Sequence, residues 1–210
     1  MPQQRTNVYV DGFNLYYGCV KGTPYKWLDF EKLCSLVLKG HSINRIRYFT
    51  ARVQSRPSDP QQIQRQQVYI RALRTIPSLS VHYGHFLTNP KWMPLANPSP
   101  GGPQTVEVIK TEEKGSDVNL ATHLLRDGFR GDYDVAVVVS NDSDLLEPIK
   151  IVRRELGFRV GLLNPQKKPS RVLQQEVDFL RQIRKGALQR SQLPPTLKDS
   201  QGTITKPSSW

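Results

Sequence analysis

Four aspartates sit where an alternating α/β chain would gather them: Asp11, Asp117, Asp142 and Asp144. Asp11 closes the short apolar run Val8-Tyr9-Val10, and Asp117 opens a periodic apolar stretch after Lys114-Gly115-Ser116. Asp142 and Asp144 follow Val135-Ala136-Val137-Val138-Val139 through Ser140 and Asn141. Carboxylates brought together raise one another's pKa unless a cation sits among them. The cation that an all-oxygen set favours is hard and divalent, as Mg²⁺ is. Such an ion orients an attacking water and stabilises a departing oxygen, which is the chemistry of phosphate-ester hydrolysis. Each residue also has a simpler role open to it. Asp11 before Gly12 makes a turn, and Asp117 or Asp142 caps a helix. It is their joint placement after separate strands and turns that points to a site.

The elements that must position them are legible as periodicity. Val135–Val139 is β-branched and unbroken, the pattern of a strand buried on both faces in a parallel sheet. In such sheets ligands gather beyond the carboxyl ends of the strands. Strands are also predicted at Val8–Val10, Ile43–Thr50, Leu79–Phe86, Thr105–Ile109 and Phe158–Leu163. Helical turns are predicted over Phe13–Cys19, and helices from Phe30 to Leu38 capped by Asp29, after Asp59, over Asp117–Leu125 capped by Ser116, from Leu145 to Leu156, and over residues 176–185. Strands alternating with helices imply an α/β sandwich around a mainly parallel sheet. By contrast, Asp127, Asp132 and Asp134 precede the long strand at its entering end, where loop solvation explains them.

Residues 88–104 hold Asn97-Pro98-Ser99-Pro100-Gly101-Gly102-Pro103, and the whole span is expected to be an irregular loop inserted into a domain of residues 1–185. Residues 186–210, rich in Ser, Pro, Thr, Gln and Lys, are expected to form a disordered basic tail. No internal repeat is visible.

The 210 residues suit one domain, and 30 Lys and Arg against 18 Asp and Glu give a formal charge of +12. That excess favours polyanions such as nucleic acid. Much of it lies between Lys150 and Lys185, while Lys110 and Lys114 lie nearest Asp117 in sequence and are the candidates for phosphate contact at the site. Cys19 and Cys34 form neither a CxxC pair nor a His-associated cluster, so they are expected to be reduced core thiols rather than a disulfide or zinc site. His82 and His85 fall on opposite faces of a strand, and His123 inside an apolar helix is expected to be a packed residue. Met1–Arg5 carries no apolar signal core and no run is long enough to span a bilayer, so a soluble cytoplasmic protein without membrane association is expected.

Three separated motifs carry a family resemblance. Val8-Tyr9-Val10-Asp11-Gly12-Phe13-Asn14-Leu15, then Lys114-Gly115-Ser116-Asp117 before an apolar helix, then Asp134 to Asp144, together resemble an NYN domain of the PIN-like ribonuclease superfamily. The likeness implies a three-layer α/β/α PIN-like (Rossmann-like) sandwich and cleavage of RNA phosphodiester bonds, and the basic segment after Lys150 suits RNA or single-stranded nucleic acid as the bound partner. It implies Asp11, Asp117 and Asp142 as ligands of Mg²⁺ or Mn²⁺, Asp144 as a further ligand or base, and Asn14 as an orienting residue for a carboxylate or substrate phosphate. Homo-oligomerisation is compatible with it. Many relatives carry Gly where this chain has Asn141, and Asn is a residue that tolerates a left-handed turn.

Two rival readings put Asp at strand ends as well. A phosphatase of the haloacid dehalogenase type needs a second Asp two residues after the first, where this chain has Phe13; a phosphoacceptor receiver belongs to the same phosphotransfer class. A catalytically quiet nucleic-acid or protein adaptor would keep the fold and the pocket. Tyr16, Tyr17, Tyr25 and Trp27 offer either base stacking or core packing.

Overall fold

The computed structural model describes residues 4–55 and 58–210; the expectation for Met1–Gln3 lies outside the described residues. Its centre is a seven-stranded sheet in the order β4-β3-β2-β1-β5-β6-β7. The strands are β1 (Arg5–Asp11), β2 (Ser42–Ala51), β3 (Leu79–Pro94), β4 (Thr105–Lys114), β5 (Val135–Val139), β6 (Arg159–Asn164) and β7 (Phe179–Gln182). All neighbours are parallel except β3 and β4. Strand β1 lies between β2 and β5, with Val8 opposite Ile46 on one side and Val137 on the other. The chain therefore leaves β1 in one direction and returns on its far side, which opens a crevice at the carboxyl ends of β1 and β5.

Alternation along the strands divides the core. Val8, Val10, Val135, Val137 and Val139 pack beneath α2 (Phe30–Val37) and α3 (Gln62–Leu73). Tyr9, Ala136 and Val138 pack against α4 (Ser116–Phe129) and α5 (Leu146–Lys150) on the opposite face. The result is a three-layer α/β/α sandwich consistent with a PIN-like fold. A buried β1 or β5 residue that changed register by one would exchange these two cores. Helix α2 begins where expected, with the Asp29 carboxylate accepting from the Lys32 N–H at 3.1 Å. Before it, α1 (Gly12–Leu15) continues as a π-helical turn over Tyr16–Val20.

Several expectations are corrected. Residues 88–94 belong to β3, and β4 extends to Lys114, so the proline-rich stretch is the end of an antiparallel ribbon rather than a loop of residues 88–104. Strand β3 pairs with β2 only as far as Gly84, so from His85 onward it has one free edge. Pro90 and Pro94 are tolerated there because a strand edge facing solvent needs no ladder donor. Trp92 and Ile109 stand exposed on this ribbon. The expected helix at residues 176–185 is β7, an edge strand whose Phe179 ring fills the space left by the missing side chain of Gly161. A short helix, α6 (Arg171–Gln175), precedes it. Asp59 does not cap α3 with its side chain; Gln61 is at that position, and the Asp59 carboxylate pairs with Arg65.

The segment 186–210 is ordered. It forms α7 (Lys185–Arg190) and the hairpin β8 (Thr196–Asp199) and β9 (Gly202–Thr205). Average composition hid how well its few apolar groups are used: Leu188, Leu193 and Ile204 are buried in the core. The Trp27 indole N–H donates to the Pro194 carbonyl at 2.8 Å, and Trp210 packs edge-on against Trp27 and Tyr69.

Candidate active site

The crevice at the carboxyl ends of β1 and β5 is where the predicted residues meet. Asp11, the last residue of β1, is buried and caps α1, its Oδ1 accepting from the Asn14 N–H at 2.9 Å. Its Oδ2 accepts from the Ser140 hydroxyl at 2.9 Å. Gly12 is required by close approach rather than by an unusual turn, since a Cβ there would lie 2.7 Å from the Phe49 carbonyl and the Tyr48 ring. The Ser140 hydroxyl in turn accepts from the Asp142 N–H at 3.1 Å, and Asp142 caps the following 3₁₀ turn by accepting from the Asp144 N–H at 3.0 Å. The capping role and the site role thus coincide for Asp11 and Asp142. These bonds fix the carboxylates at the cleft wall, with both oxygens of Asp11 and one of Asp142 engaged and further lone pairs open.

Asn14 ties the two segments together, its side-chain oxygen accepting from the Asn141 N–H at 3.1 Å. Asn141 does not occupy a left-handed turn, because positive φ occurs only at glycines among the described residues. Its side chain instead clamps the loop after β6: its Nδ2 donates to the Lys168 carbonyl at 3.1 Å and its oxygen accepts from the Ser170 N–H at 2.6 Å.

Asp117 arrives from the other side, in the first turn of α4. Ser116 is inside the helix, not its cap; Gly115 at φ +91° makes the entry, and Glu113 accepts from the Ser116 N–H at 3.1 Å and its hydroxyl at 2.7 Å. The Glu113 carboxylate is the acidic residue that sequence reasoning missed. Its position three residues before the helix start is the available signal, obscured because the apolar pattern of β4 stops at Ile109 while the strand itself does not.

Asp11, Asn14, Glu113, Asp117 and Asp142 line one cleft of about 260 Å³, with Phe13, Tyr17, Ser116 and Gln166 completing the wall. Asp144 stands exposed at the rim and is not part of the wall. Lys110 and Lys114 are not on the wall either; both pair with Glu112 on the ribbon, Lys110 at 2.6 Å and Lys114 at 3.7 Å. Lys167 and Lys168 line an adjoining hollow of about 820 Å³ that shares Asn14, Tyr17, Asp142 and Gln166 with the cleft.

The electrostatics are those of an uncompensated acidic centre. Burial, then the charges of Asp11, Asp142, Glu113 and Asp144, push Asp117 up to about 7. Burial also raises Asp11, against the hydrogen bonds from Asn14 and Ser140. Among the described residues no ion pair engages Asp11, Glu113, Asp117, Asp142 or Asp144. The all-oxygen donors and their mutual repulsion fit a hard divalent cation. They do not close on one point, since no three His, Cys, Asp or Glu among the described residues form a preassembled metal centre. A hydrated Mg²⁺, which keeps several waters and takes one or two protein carboxylates, suits that looser ring.

Other singled-out residues have structural places. Trp27 and Cys34 are buried in the core, and burial pushes both Cys34 and Cys19 up to about 12. His82 and His123 pack together at 4.2 Å between ring centroids, away from the cleft wall. Among the described residues no helix is long and apolar enough to cross a membrane.

Comparison with known proteins bears on this geometry. The family model described as NYN domain matches residues 5–183. A curated relative, named 6-hydroxy-3-succinoylpyridine 3-monooxygenase, from Pseudomonas putida, is 34% identical over 98% of this chain and 75% of its own length. A crystal structure of a protein of unknown function from Vibrio parahaemolyticus superposes with a TM-score of 0.57 at 16% identity, covering 87% of this chain and 94% of that one. The last is a likeness of fold alone.

Proposed function

Because the chain belongs to the NYN domain family, we propose that it is a metal-dependent ribonuclease hydrolysing RNA phosphodiester bonds. The observation that carries this is the uncompensated carboxylate ring at the β1/β5 crevice, which pushes Asp117 up to about 7. Asp11, Asp117 and Asp142 would hold Mg²⁺ or Mn²⁺. Such an ion supplies an activated water and charge neutralisation at a departing oxygen. The protein's own contribution is placement. Asp11 is held by Asn14 and Ser140, Asp142 by the same Ser140, and Asn14 joins the two segments, so the acidic wall is preorganised before substrate arrives. Asp144 adds negative charge at the rim, and Gln166, Lys167 and Lys168 offer donors to a phosphate on the β6 side. Glu113 holds the start of α4, and so positions Asp117.

The test is incubation of labelled single-stranded RNA with the protein in Mg²⁺, in Mn²⁺ and in chelator, repeated with Asp142→Asn and Asp11→Asn. Cleavage that needs metal and is lost in both folded variants is the expected result. Metal-independent cleavage, or variants as active as the parent, would sink the proposal; binding without cleavage would favour the adaptor.

The relative from Pseudomonas putida favours a second reading, hydroxylation of a heteroaromatic acid. An aromatic slot of about 310 Å³, with Phe13, Tyr17 and Phe86 in its lining, adjoins the acidic cleft and offers apolar surface to a small aromatic substrate. Monooxygenation places one oxygen atom of O₂ in the substrate and reduces the other to water, so it consumes two electrons from a donor. Oxygen uptake with 6-hydroxy-3-succinoylpyridine and a reduced nicotinamide, with RNA left uncut, would replace the nuclease reading. The all-oxygen donor set favours the first reading, since it lacks the histidines of common iron oxygenase sites.

A further inference from the structure

A groove of about 930 Å³, larger than the acidic cleft, lies between α3, the segment after β2 and the C-terminal hairpin. Its charged walls are Arg52, Arg71, Arg74 and Lys198 against a single carboxylate, Asp199. Asp199 is already neutralised, gripped by Arg71 through two hydrogen bonds of 2.7 and 2.5 Å. Among the described residues Arg52, Arg74 and Lys198 have no carboxylate partner. All three are exposed. Tyr83 stands between the two arginines, with Arg52 at 5.3 Å and Arg74 at 6.0 Å from its ring centre.

The groove is built rather than incidental. Gln66 accepts from the Val53 N–H at 2.9 Å and donates to the Ala51 carbonyl at 2.8 Å, so the backbone that presents Arg52 is held on both sides. The Arg71 clamp, with a further bond to the Gly202 carbonyl at 3.2 Å, holds the β8–β9 hairpin, and with it Lys198, against α3.

It is also connected. Val53, Gln54 and Ser55 belong both to this groove and to the aromatic slot, and Phe13, Tyr17 and Glu113 belong both to the slot and to the acidic cleft. The three hollows thus adjoin in sequence, from guanidiniums without a carboxylate partner, past aromatic rings, to the carboxylate ring. Phosphates favour the first surface and bases the second.

We infer that the groove between α3 and the C-terminal hairpin binds the phosphate backbone of single-stranded RNA outside the cleavage site, with Arg52, Arg74 and Lys198 as the phosphate contacts. This rests on the ribonuclease reading for the identity of the strand, but its test needs no cleavage. The affinity of the full chain for labelled oligouridine is measured in chelator over a range of salt. The double variant Arg52→Ala/Lys198→Ala is compared with Lys39→Ala/Arg130→Ala, which removes the same charge at exposed sites outside the groove.

The groove variant is expected to bind about tenfold more weakly, with the salt slope reduced by roughly 0.7 for each phosphate that is no longer neutralised. The control variant is expected to keep the parent slope. Circular dichroism and thermal melting confirm that both variants are folded, and Lys198→Glu alone, at an exposed hairpin position, provides a second groove variant. An unchanged slope in the folded groove variants, equal weakening in groove and control variants, or no binding by the parent would overturn the inference. Binding with these properties but no cleavage in Mg²⁺ or Mn²⁺ upholds the groove and overturns the nuclease; cleavage by a parent whose groove variants bind normally does the reverse.

Discussion

Helix α4 carries an aspartate at each end, and the two have opposite fates. Asp127, near its last turn, is fully buried; Arg47 contacts both its oxygens at 2.7 and 3.0 Å, and the Tyr9 hydroxyl adds a third bond at 2.9 Å. Burial pushes its pKa up, but hydrogen bonds from Arg47 and Tyr9 and the Arg47 charge outweigh that, leaving it below the ordinary carboxylate range. Asp117, in the first turn, has no cation partner among the described residues, and burial and then the neighbouring carboxylates push it up to about 7. The difference teaches what marks a site. A structural carboxylate in this fold comes with its cation, whereas the crevice keeps four acidic wall residues without one.

The largest expected break in this contrast is at Arg47. Arg47→Met would leave buried Asp127 with only the 3.3 Å contact of the part-exposed Arg126 and the Tyr9 hydroxyl, and the expected loss is the lower end of the about 3–5 kcal/mol that removing one partner of a buried pair costs. Denaturant unfolding is expected to show that loss, with the carboxylate ring itself untouched. A loss below about 1 kcal/mol, the range of an exposed pair, would mean that Arg126 or water replaces Arg47 at Asp127 and that the contrast is overstated.

A smaller effect of opposite sign is expected at Asp117. In the unfolded chain its carboxyl has the ordinary pKa of 3.8, while the folded value is about 7. Between these the folded state holds a proton that the unfolded state releases, so stability falls as pH rises from about 4 to 7 and levels off above. In chelator, Asp117→Asn is expected to flatten that decline and to stabilise the protein near neutrality by on the order of 1 kcal/mol, after allowing for solvent screening at a half-buried position. Unfolding of parent and variant at several pH values provides the check. Parallel curves would show that the ring does not repel Asp117 as described.

How much of the molecule is legible in its sequence depends on the range over which each signal acts. Asp11, Asp117 and Asp142 are legible because each is attached to an apolar run whose period fixes its end. Asp127 is not: its partner Arg47 lies 80 positions away on β2, so solvation looks the simpler fate. Glu113 and the Lys110–Glu112 pair are hidden by the ribbon, where prolines on a free edge imitate a loop. The C-terminal hairpin is hidden by its composition, since Leu193, Ile204 and Trp210 are few but each finds a packed place. The groove therefore has no sequence signature: Arg52, Arg74 and Lys198 meet only once that hairpin is folded against α3.

The finest expected effect concerns Asn141, which links the acidic ring to the lysines of the adjoining hollow. Where a glycine would leave the loop after β6 to its own devices, the Asn141 side chain bonds the Lys168 carbonyl and the Ser170 N–H and so holds Lys167 and Lys168 beside Asp142. Its backbone needs no left-handed conformation, so Asn141→Gly relieves no strain there. The variant instead gives up both of these hydrogen bonds and gains chain entropy, a destabilisation of about 1 kcal/mol. The Asp11 and Asp142 carboxylates keep their hydrogen bonds and Asp117 keeps its acidic neighbours, so the pH dependence of stability in chelator is expected to stay as in the parent. RNA affinity in chelator is expected to fall a few-fold, because Lys167 and Lys168 are no longer held in place before the strand arrives. Unaltered affinity in a folded Asn141→Gly protein would show that the acidic ring and its flanking lysines act independently.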